Sequence, residues 1–182
     1  MKKKLLVISG SSGVGKGTVL KEVLKTRNDI KYSISCTTRN PREGEVHGQH
    51  YFFLSKDDFM NDVKKGNFLE WAEFSGNFYG TNRELVQKML NDGFNVILEI
   101  ETDGAMQVKK KVPDCTMIFI APPSIEELER RLRGRNTETE EAIQKRLKMV
   151  KIELERSKNY DYIVINDEVS KAAAKILEII DA

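Results

Sequence analysis

Residues 5–8 form a short apolar run, and directly after it the chain reads Gly10-Ser11-Ser12-Gly13-Val14-Gly15-Lys16-Gly17-Thr18. This order of strand, glycine loop and lysine limits the possible folds more than any other feature. Glycines at 10, 13 and 15 allow positive φ angles and a close approach of the backbone to a polyphosphate, with successive amide N–H groups facing anionic oxygens. Lys16 adds a mobile cation. Beyond Gly15, the spacing of Val19, Leu20, Val23 and Leu24 predicts a helix with one buried face, whose N-terminus also favours an anion. A glycine-rich turn can merely join a strand to a helix. Here the G-x-x-x-x-G-K pattern is complete and lies between a strand and a helix, the context that phosphate binding requires. One departure is local: Gly17 follows the lysine and the hydroxyl comes one place later, at Thr18, which leaves direct hydroxyl ligation of a magnesium ion open.

Further apolar runs at 95–100, 115–120 and 162–165 read as buried strands of a parallel sheet. Helical stretches at 16–25, 103–112, 124–133, 139–158 and 169–180 alternate with them, which predicts an α/β core. Ser124 with Glu127, and Ser55 with Asp58, are capping-box patterns at helix starts, the second opening a short helix that ends near Gly66. Between about 32 and 81 the chain turns β-prone, at 51–54 and 67–74, which predicts an insertion beside the nucleotide site. A chain of 182 residues is near the size of one domain and can bury roughly 70% of its unfolded surface. Its net charge of +2 argues against a dedicated nucleic-acid or membrane surface. Cys36 and Cys115 are far apart and lack metal-ligand spacing, so neither a disulfide framework nor a zinc site is indicated. About five apolar residues after Met1-Lys2-Lys3-Lys4 are too few for a signal-peptide core, and the expectation is a cytoplasmic protein.

Phosphate transfer between two nucleotides needs a second group of cations. Arg39 and Arg42, three residues apart in a turn marked by Pro41 and Gly44, supply one, and arginine suits forked contact with phosphate. In isolation such a pair would read as ordinary surface charge. Glu99 and Glu101, at alternating positions at the end of a core strand, are predicted to share a face, where they could organise magnesium waters or tether arginines. His47 and His50 read as loop residues without a catalytic part.

The segments GSSGVGKGT, SCTTRNPREGEVHGQHYFF, FLEWAEFSGNFYGT, APPSIEELERRLRGRNTETEEAIQKRL and YDYIVIND, in this order, resemble the guanylate kinases nearly end to end. The resemblance implies a P-loop nucleoside monophosphate kinase fold with a parallel core sheet, a mixed α/β GMP-binding insertion and a helical lid. Within a single domain over 1–182, the core would take 1–31, 82–123 and 160–182, the insertion 32–81, and the lid with its flanking helices 124–159. It also implies transfer of the γ-phosphate of ATP to GMP, and to dGMP, with Mg²⁺, and no nucleic-acid, membrane or protein partner. By resemblance Arg39, Arg42, Tyr51 and Tyr79 hold the GMP phosphate, and Ser35, Glu70 and Thr81 read the base. The loop from Gly10 to Thr18 and Asn166 hold ATP, and Lys16, Arg39, Arg131, Arg135 and Arg146 surround the transferring group. The family usually has glycine where Asn136 stands, aspartates at the positions of Glu99 and Glu101, and glutamine at that of Asp103.

Two features of that chemistry follow from the residues themselves. An ionised carboxylate such as Glu70 only accepts hydrogen bonds, and guanine offers N1–H and N2–H₂ as adjacent donors where adenine offers no such pair. A phosphomonoester with a second pKa of about 6 is mostly dianionic at neutral pH, so the nucleophile needs no general base. Against the enzyme stand two rivals. One is a scaffold module that keeps the fold without turnover, disfavoured by the intact loop and Lys16; the other is a kinase for another nucleoside monophosphate.

Overall fold

The computed structural model describes residues 3–134 and 139–182. The core sheet has the strand order β2-β7-β1-β8-β9, from β1 (Leu5–Gly10), β2 (Ile30–Tyr32), β7 (Asn95–Glu99), β8 (Thr116–Ala121) and β9 (Tyr162–Ile165). The β2–β7 and β8–β9 pairs run parallel. Leu6, Val7 and Ile8, Val96 to Leu98, and Met117 to Ile120 are all buried, the continuous apolar runs expected of strands covered on both faces. Two compact units divide the chain, Met1–Val7 with Asp29–Cys115, and Ile8–Asn28 with Thr116–Ala182.

In the first unit, a four-stranded sheet of order β4-β3-β6-β5 is built from β3 (Cys36–Thr37), β4 (Phe52–Phe53), β5 (Phe68–Phe74) and β6 (Asn77–Asn82). Strands β5 and β6 form a hairpin whose two turn residues, Ser75 and Gly76, have φ of 51° and 77°, the left-handed pair that matches strand twist. Helix α2 (Lys56–Lys65) starts at the Ser55 cap, whose hydroxyl accepts from the Asp58 N–H at 3.1 Å, as its sequence predicts. The helix buries Phe59 between Phe68 and Phe78, with ring centroids 4.4 and 5.6 Å away. Helix α3 (Arg83–Asn91) follows β6 with Asn82 as its cap, and α4 (Thr102–Lys111) follows β7. Strands β2, β3 and β6 and helix α3 go beyond the elements read from sequence.

The second unit holds α1 (Lys16–Thr26), α5 (Ile125–Gly134), α6 (Glu140–Arg156) and α7 (Val169–Asp181) with β8 and β9. Ser124 caps α5 as expected, accepting the Glu127 N–H at 3.1 Å, and Thr139 caps α6. Helices α5 and α6 pack through Leu128, Leu132, Ile143, Leu147 and Val150. Gly13 and Gly15 have φ of 81° and 89°, as the loop reading requires. Gly10 does not lie in the positive-φ region: it ends β1, and glycine is needed there because a Cβ would lie 2.6 Å from the Ile120 carbonyl oxygen.

Two glycine substitutions therefore have opposite expected signs. Gly10→Ala forces β1 from β8 and should cost about 2 kcal/mol of stability or more. Gly17→Ala meets nothing within 4 Å inside α1 and should gain about 0.5–1 kcal/mol from helix propensity. Urea unfolding of the two variants beside the parent protein checks both.

Candidate nucleotide sites

The glycine loop is seated against β8 and α6. The Ser11 N–H donates to the Ile120 carbonyl at 3.2 Å, the Val14 N–H to the Ser11 carbonyl at 3.1 Å, and the Ser12 N–H to the Glu153 carboxylate at 3.1 Å. These three amides hold the loop itself, so the cradle is narrower than an array of successive inward N–H groups. At the end of the loop, α1 begins at Gly15 with no side-chain cap and no acidic residue in its first turn. Helices α2, α3 and α6 each have a capping side chain and an acidic first turn. The start of α1 thus leaves its positive end open to an anion, with neither a side-chain cap nor an acidic residue to offset it. Lys16 Nζ lies 3.4 Å from the Gly10 carbonyl, folded back along the loop.

Basic and polar side chains gather around this loop. Arg146 Nη1 donates to the Ser12 hydroxyl at 3.4 Å. Arg131 donates to Glu127 at 2.7 Å, to the Asn166 carbonyl at 3.0 Å and to the Asp167 carbonyl at 3.3 Å. Asn166 donates its amide to the Val14 carbonyl at 2.7 Å, while its Oδ1 and the Ser11 Oγ are buried with no partner. Buried polar atoms without a partner mark a place where a ligand can complete the hydrogen bonding. Arg135 and Asn136 lie outside the described residues. Arg130 and Arg133 are surface ion pairs, to Glu127 and to Glu129 and Glu140, as their sequence context suggests.

The first unit carries the second cluster. Arg39 stacks over Tyr51 at 5.5 Å and Phe53 at 6.0 Å, and the Tyr51 and Tyr79 rings are 6.1 Å apart. Arg42 points its side chain to solvent while its backbone joins the turn, whose Glu45 N–H donates to the Arg42 carbonyl at 3.0 Å. His47 and His50 accept backbone N–H groups of Phe53 and Val46 through Nδ1 and so serve the loop structure. Ser35 is half-buried, and its carbonyl accepts the Phe52 N–H at 2.9 Å.

Glu70 and Thr81 face each other across β5 and β6, beside a register irregularity between Phe68 and Glu70 that re-aims the strand. The Thr81 hydroxyl donates to Glu70 Oε1 at 2.6 Å, and both residues are buried, at 6% and 1% exposure. A Cβ on Gly104 of α4 would lie 2.8 Å from Glu70 Oε2, so only glycine leaves room for the carboxylate. Gln107, one turn further, accepts the Trp71 N–H at 3.2 Å and donates to its carbonyl at 3.0 Å, tying α4 to β5 beside Glu70. Burial raises the Glu70 pKa above the ordinary carboxylate range, against the lowering effects of the Thr81 hydrogen bond and the Lys111 charge.

At the end of β7, the strand stops at Glu99, which is half-buried, and Glu101 is the exposed N-cap of α4, still with extended backbone angles. Glu99 accepts the Tyr32 hydroxyl at 3.2 Å. No group of three or more acidic, His or Cys side chains poised for a metal occurs among the described residues. Glu153, Gly104 and Gln107 carry no sequence signal of their own, because each acts on a partner that only the fold brings near, and Glu45, whose partners Arg39 and Arg42 are local, is hidden among neighbouring charges.

A parallel sheet with a glycine loop at the end of its central strand, an uncapped helix beyond it and a buried carboxylate in a separate β-rich layer define a P-loop nucleotide-binding protein of the nucleoside monophosphate kinase type. The guanylate kinase family model matches residues 2–182, and the chain belongs to that family. It is 54% identical over 176 residues to a guanylate kinase of Prochlorococcus marinus, covering 97% of this chain and 96% of that protein. A guanylate kinase of Desulfitobacterium hafniense is 48% identical over 176 residues, covering 97% and 88%. The crystal structure of guanylate kinase from Anaplasma phagocytophilum matches with a TM-score of 0.75 at 32% identity, over 98% of this chain and 85% of that one.

The raised Glu70 pKa has a measurable effect on stability. A carboxyl group whose folded pKa exceeds its unfolded value destabilises the fold when ionised, and this cost fades as pH falls from the raised value toward about 4.3. Glu70→Gln without nucleotide should therefore exceed the parent protein in unfolding free energy at pH 8, with the gap narrowing steadily toward pH 4.5. Paired denaturation curves across that range check it.

Proposed function

We propose that this chain transfers the γ-phosphate of ATP to GMP, and to dGMP, with Glu70 and Thr81 choosing the guanine base. The observation that carries this reading is the buried Glu70–Thr81 pair, because a desolvated carboxylate needs a ligand with matching donors. Guanine N1–H and N2–H₂ supply them, and Ser35 lies on the neighbouring segment of the same unit. With AMP the carboxylate would stay buried with Thr81 beside it and no donors from the base. Arg39, Arg42, Tyr51 and Tyr79 hold the GMP phosphate, the arginines by charge and the tyrosines through hydroxyls. The loop from Gly10 to Thr18 holds the ATP phosphates, and the unpartnered Asn166 Oδ1 offers an acceptor on the same side.

The GMP phosphate attacks the terminal phosphate of ATP in line, already ionised, so catalysis rests on positioning and on cations around the spreading charge. Lys16, Arg39, Arg131, Arg135 and Arg146 fill that role, and the segment 124–159 acts as the lid whose closure excludes water. The domain reading is one kinase domain, with core 1–31, 82–123 and 160–182 and GMP-binding insertion 32–81. For Mg²⁺, the sparse carboxylate donors fit an ion that keeps its waters and takes phosphate oxygens, so Glu99 and Glu101 would hold it through water and its charge would neutralise the donor phosphates. No described helix is long and apolar enough to cross a membrane, and the reading places the enzyme in the cytoplasm with ATP and GMP as its only partners.

An ADP-release assay with GMP, dGMP and AMP tests the proposal. Turnover with GMP and dGMP and little with AMP is expected; a scaffold module gives none with any of them, and a kinase for another base reverses the order. Lys16→Ala should lower kcat by about 10²–10³-fold. Its Kd for GMP should change by no more than about twofold. In Glu70→Gln the preference for GMP over AMP should fall by about 10²-fold or more. An unchanged preference would remove Glu70 from the base site.

A further inference from the structure

We infer that Glu45 is a positioning residue for recognition of the GMP phosphate: its carboxylate grips one edge of the Arg39 guanidinium and leaves the adjacent edge to bind two phosphate oxygens. This rests on the reading of Arg39 as a GMP-phosphate ligand. A guanidinium has five N–H donors in a rigid fork. Arg39 Nη1 donates to the Asn40 carbonyl at 2.8 Å and to Glu45 Oε2 at 2.9 Å, and Nη2 donates to Glu45 Oε1 at 2.8 Å. The Nε–H and the outer Nη2–H are taken up by neither group. They lie side by side, the spacing suited to two oxygens of one phosphate.

The grip is anchored at both ends. Glu45 Oε2 also accepts the Arg42 N–H at 2.7 Å, so the carboxylate is fixed to the backbone of its own turn, where Gly44 has a φ of 81°. On the other side the guanidinium plane rests on Tyr51 and Phe53, and the Tyr79 hydroxyl is a further hydrogen-bonding neighbour of the guanidinium, placed to share the phosphate with it. Both charged side chains are largely covered, at 16% and 18% exposure. The Arg39 hydrogen bonds and the Arg42 amide hold the Glu45 carboxyl down to about 2, so the contact stays ionised throughout the neutral range.

A carboxylate on a phosphate-binding arginine could instead be a stand-in that GMP must displace. The edge it occupies decides between the two: Glu45 sits end-on, and a phosphate can approach the remaining edge with Glu45 in place. The two roles also predict opposite signs, because removal of a competitor tightens GMP binding and removal of a brace weakens it.

Calorimetric titration of GMP and of guanosine, without ATP, into Glu45→Gln, Glu45→Asp, Arg39→Ala and the Arg39→Ala/Glu45→Gln pair tests this. Glu45→Gln should raise the Kd for GMP about tenfold and leave the Kd for guanosine and the KM for ATP unchanged within about twofold. Glu45→Asp, which keeps the charge at shorter reach, should fall between, and it replaces the Gln variant if that one does not fold. The double variant should bind GMP no more weakly than Arg39→Ala alone, as residues acting through one another do. Unchanged or tighter GMP binding in Glu45→Gln, equal losses for GMP and guanosine, or additive losses in the double variant would overturn the inference. If Arg39→Ala itself leaves GMP binding unaltered, the assignment of Arg39 fails first.

Discussion

The close approach of Gly10 to the Ile120 carbonyl sets where β1 ends and the phosphate loop begins. From that contact the loop inherits its position: Ser11 bonds to Ile120, Val14 to Ser11, and Asn166 to Val14. The start of α1 is then held without a side-chain cap. A helix end left in this way is costly unless something anionic completes it, so the local cost and the capacity to bind phosphate are the same physical fact. Glu153 accepts the Ser12 amide and so ties the loop to α6.

The first unit uses the opposite device. There the costly group is itself an anion, the Glu70 carboxylate, packed against Gly104 with Thr81 as its hydrogen-bonding neighbour. Its raised pKa reports energy that the fold spends to keep the carboxylate out of water. A ligand with two adjacent donors would recover that energy and one without them would not, so on the proposed reading selectivity would come from rejection as much as attraction. Thr81 and Lys111 lessen the cost, by hydrogen bonding and by charge.

Much of this was legible in the sequence, for identifiable reasons. The loop motif, the buried strand runs and the caps at Ser55 and Ser124 depend on neighbours in the chain, and spacing reports neighbours well. Strands β2 and β3 are three and two residues long, too short for any period to emerge. Strand β6 mixes Asn77, Gly80, Thr81 and Asn82 with few apolar residues, and its pairing with β5 is what makes it a strand. Helix α3 did carry a signal, Asn82 ahead of Leu85, Val86, Met89 and Leu90, hidden because no loop separates it from β6. Glu45 and Glu153 lie in charged stretches where nothing local separates a structural carboxylate from a solvated one.

Arg39 and Arg131, in separate units, are held in a similar manner, by carboxylates and backbone carbonyls together: Glu45 and the Asn40 carbonyl for the first, Glu127, the more distant Asp167 carboxylate and the Asn166 and Asp167 carbonyls for the second. Arg130, on the same Glu127, is 75% exposed and makes no carbonyl contact of this kind. A free arginine side chain carries about 2 kcal/mol of rotamer entropy, which a phosphate must overcome on binding. Arginines fixed beforehand have already lost most of it during folding, so more of the charge–charge attraction is available to the ligand. Their carboxylate partners do not cancel that attraction, because a guanidinium gripped on one edge still presents directed N–H donors on another. Where phosphate is the ligand, a nearby acid can therefore strengthen a basic site, provided that it and the phosphate never compete for the same edge.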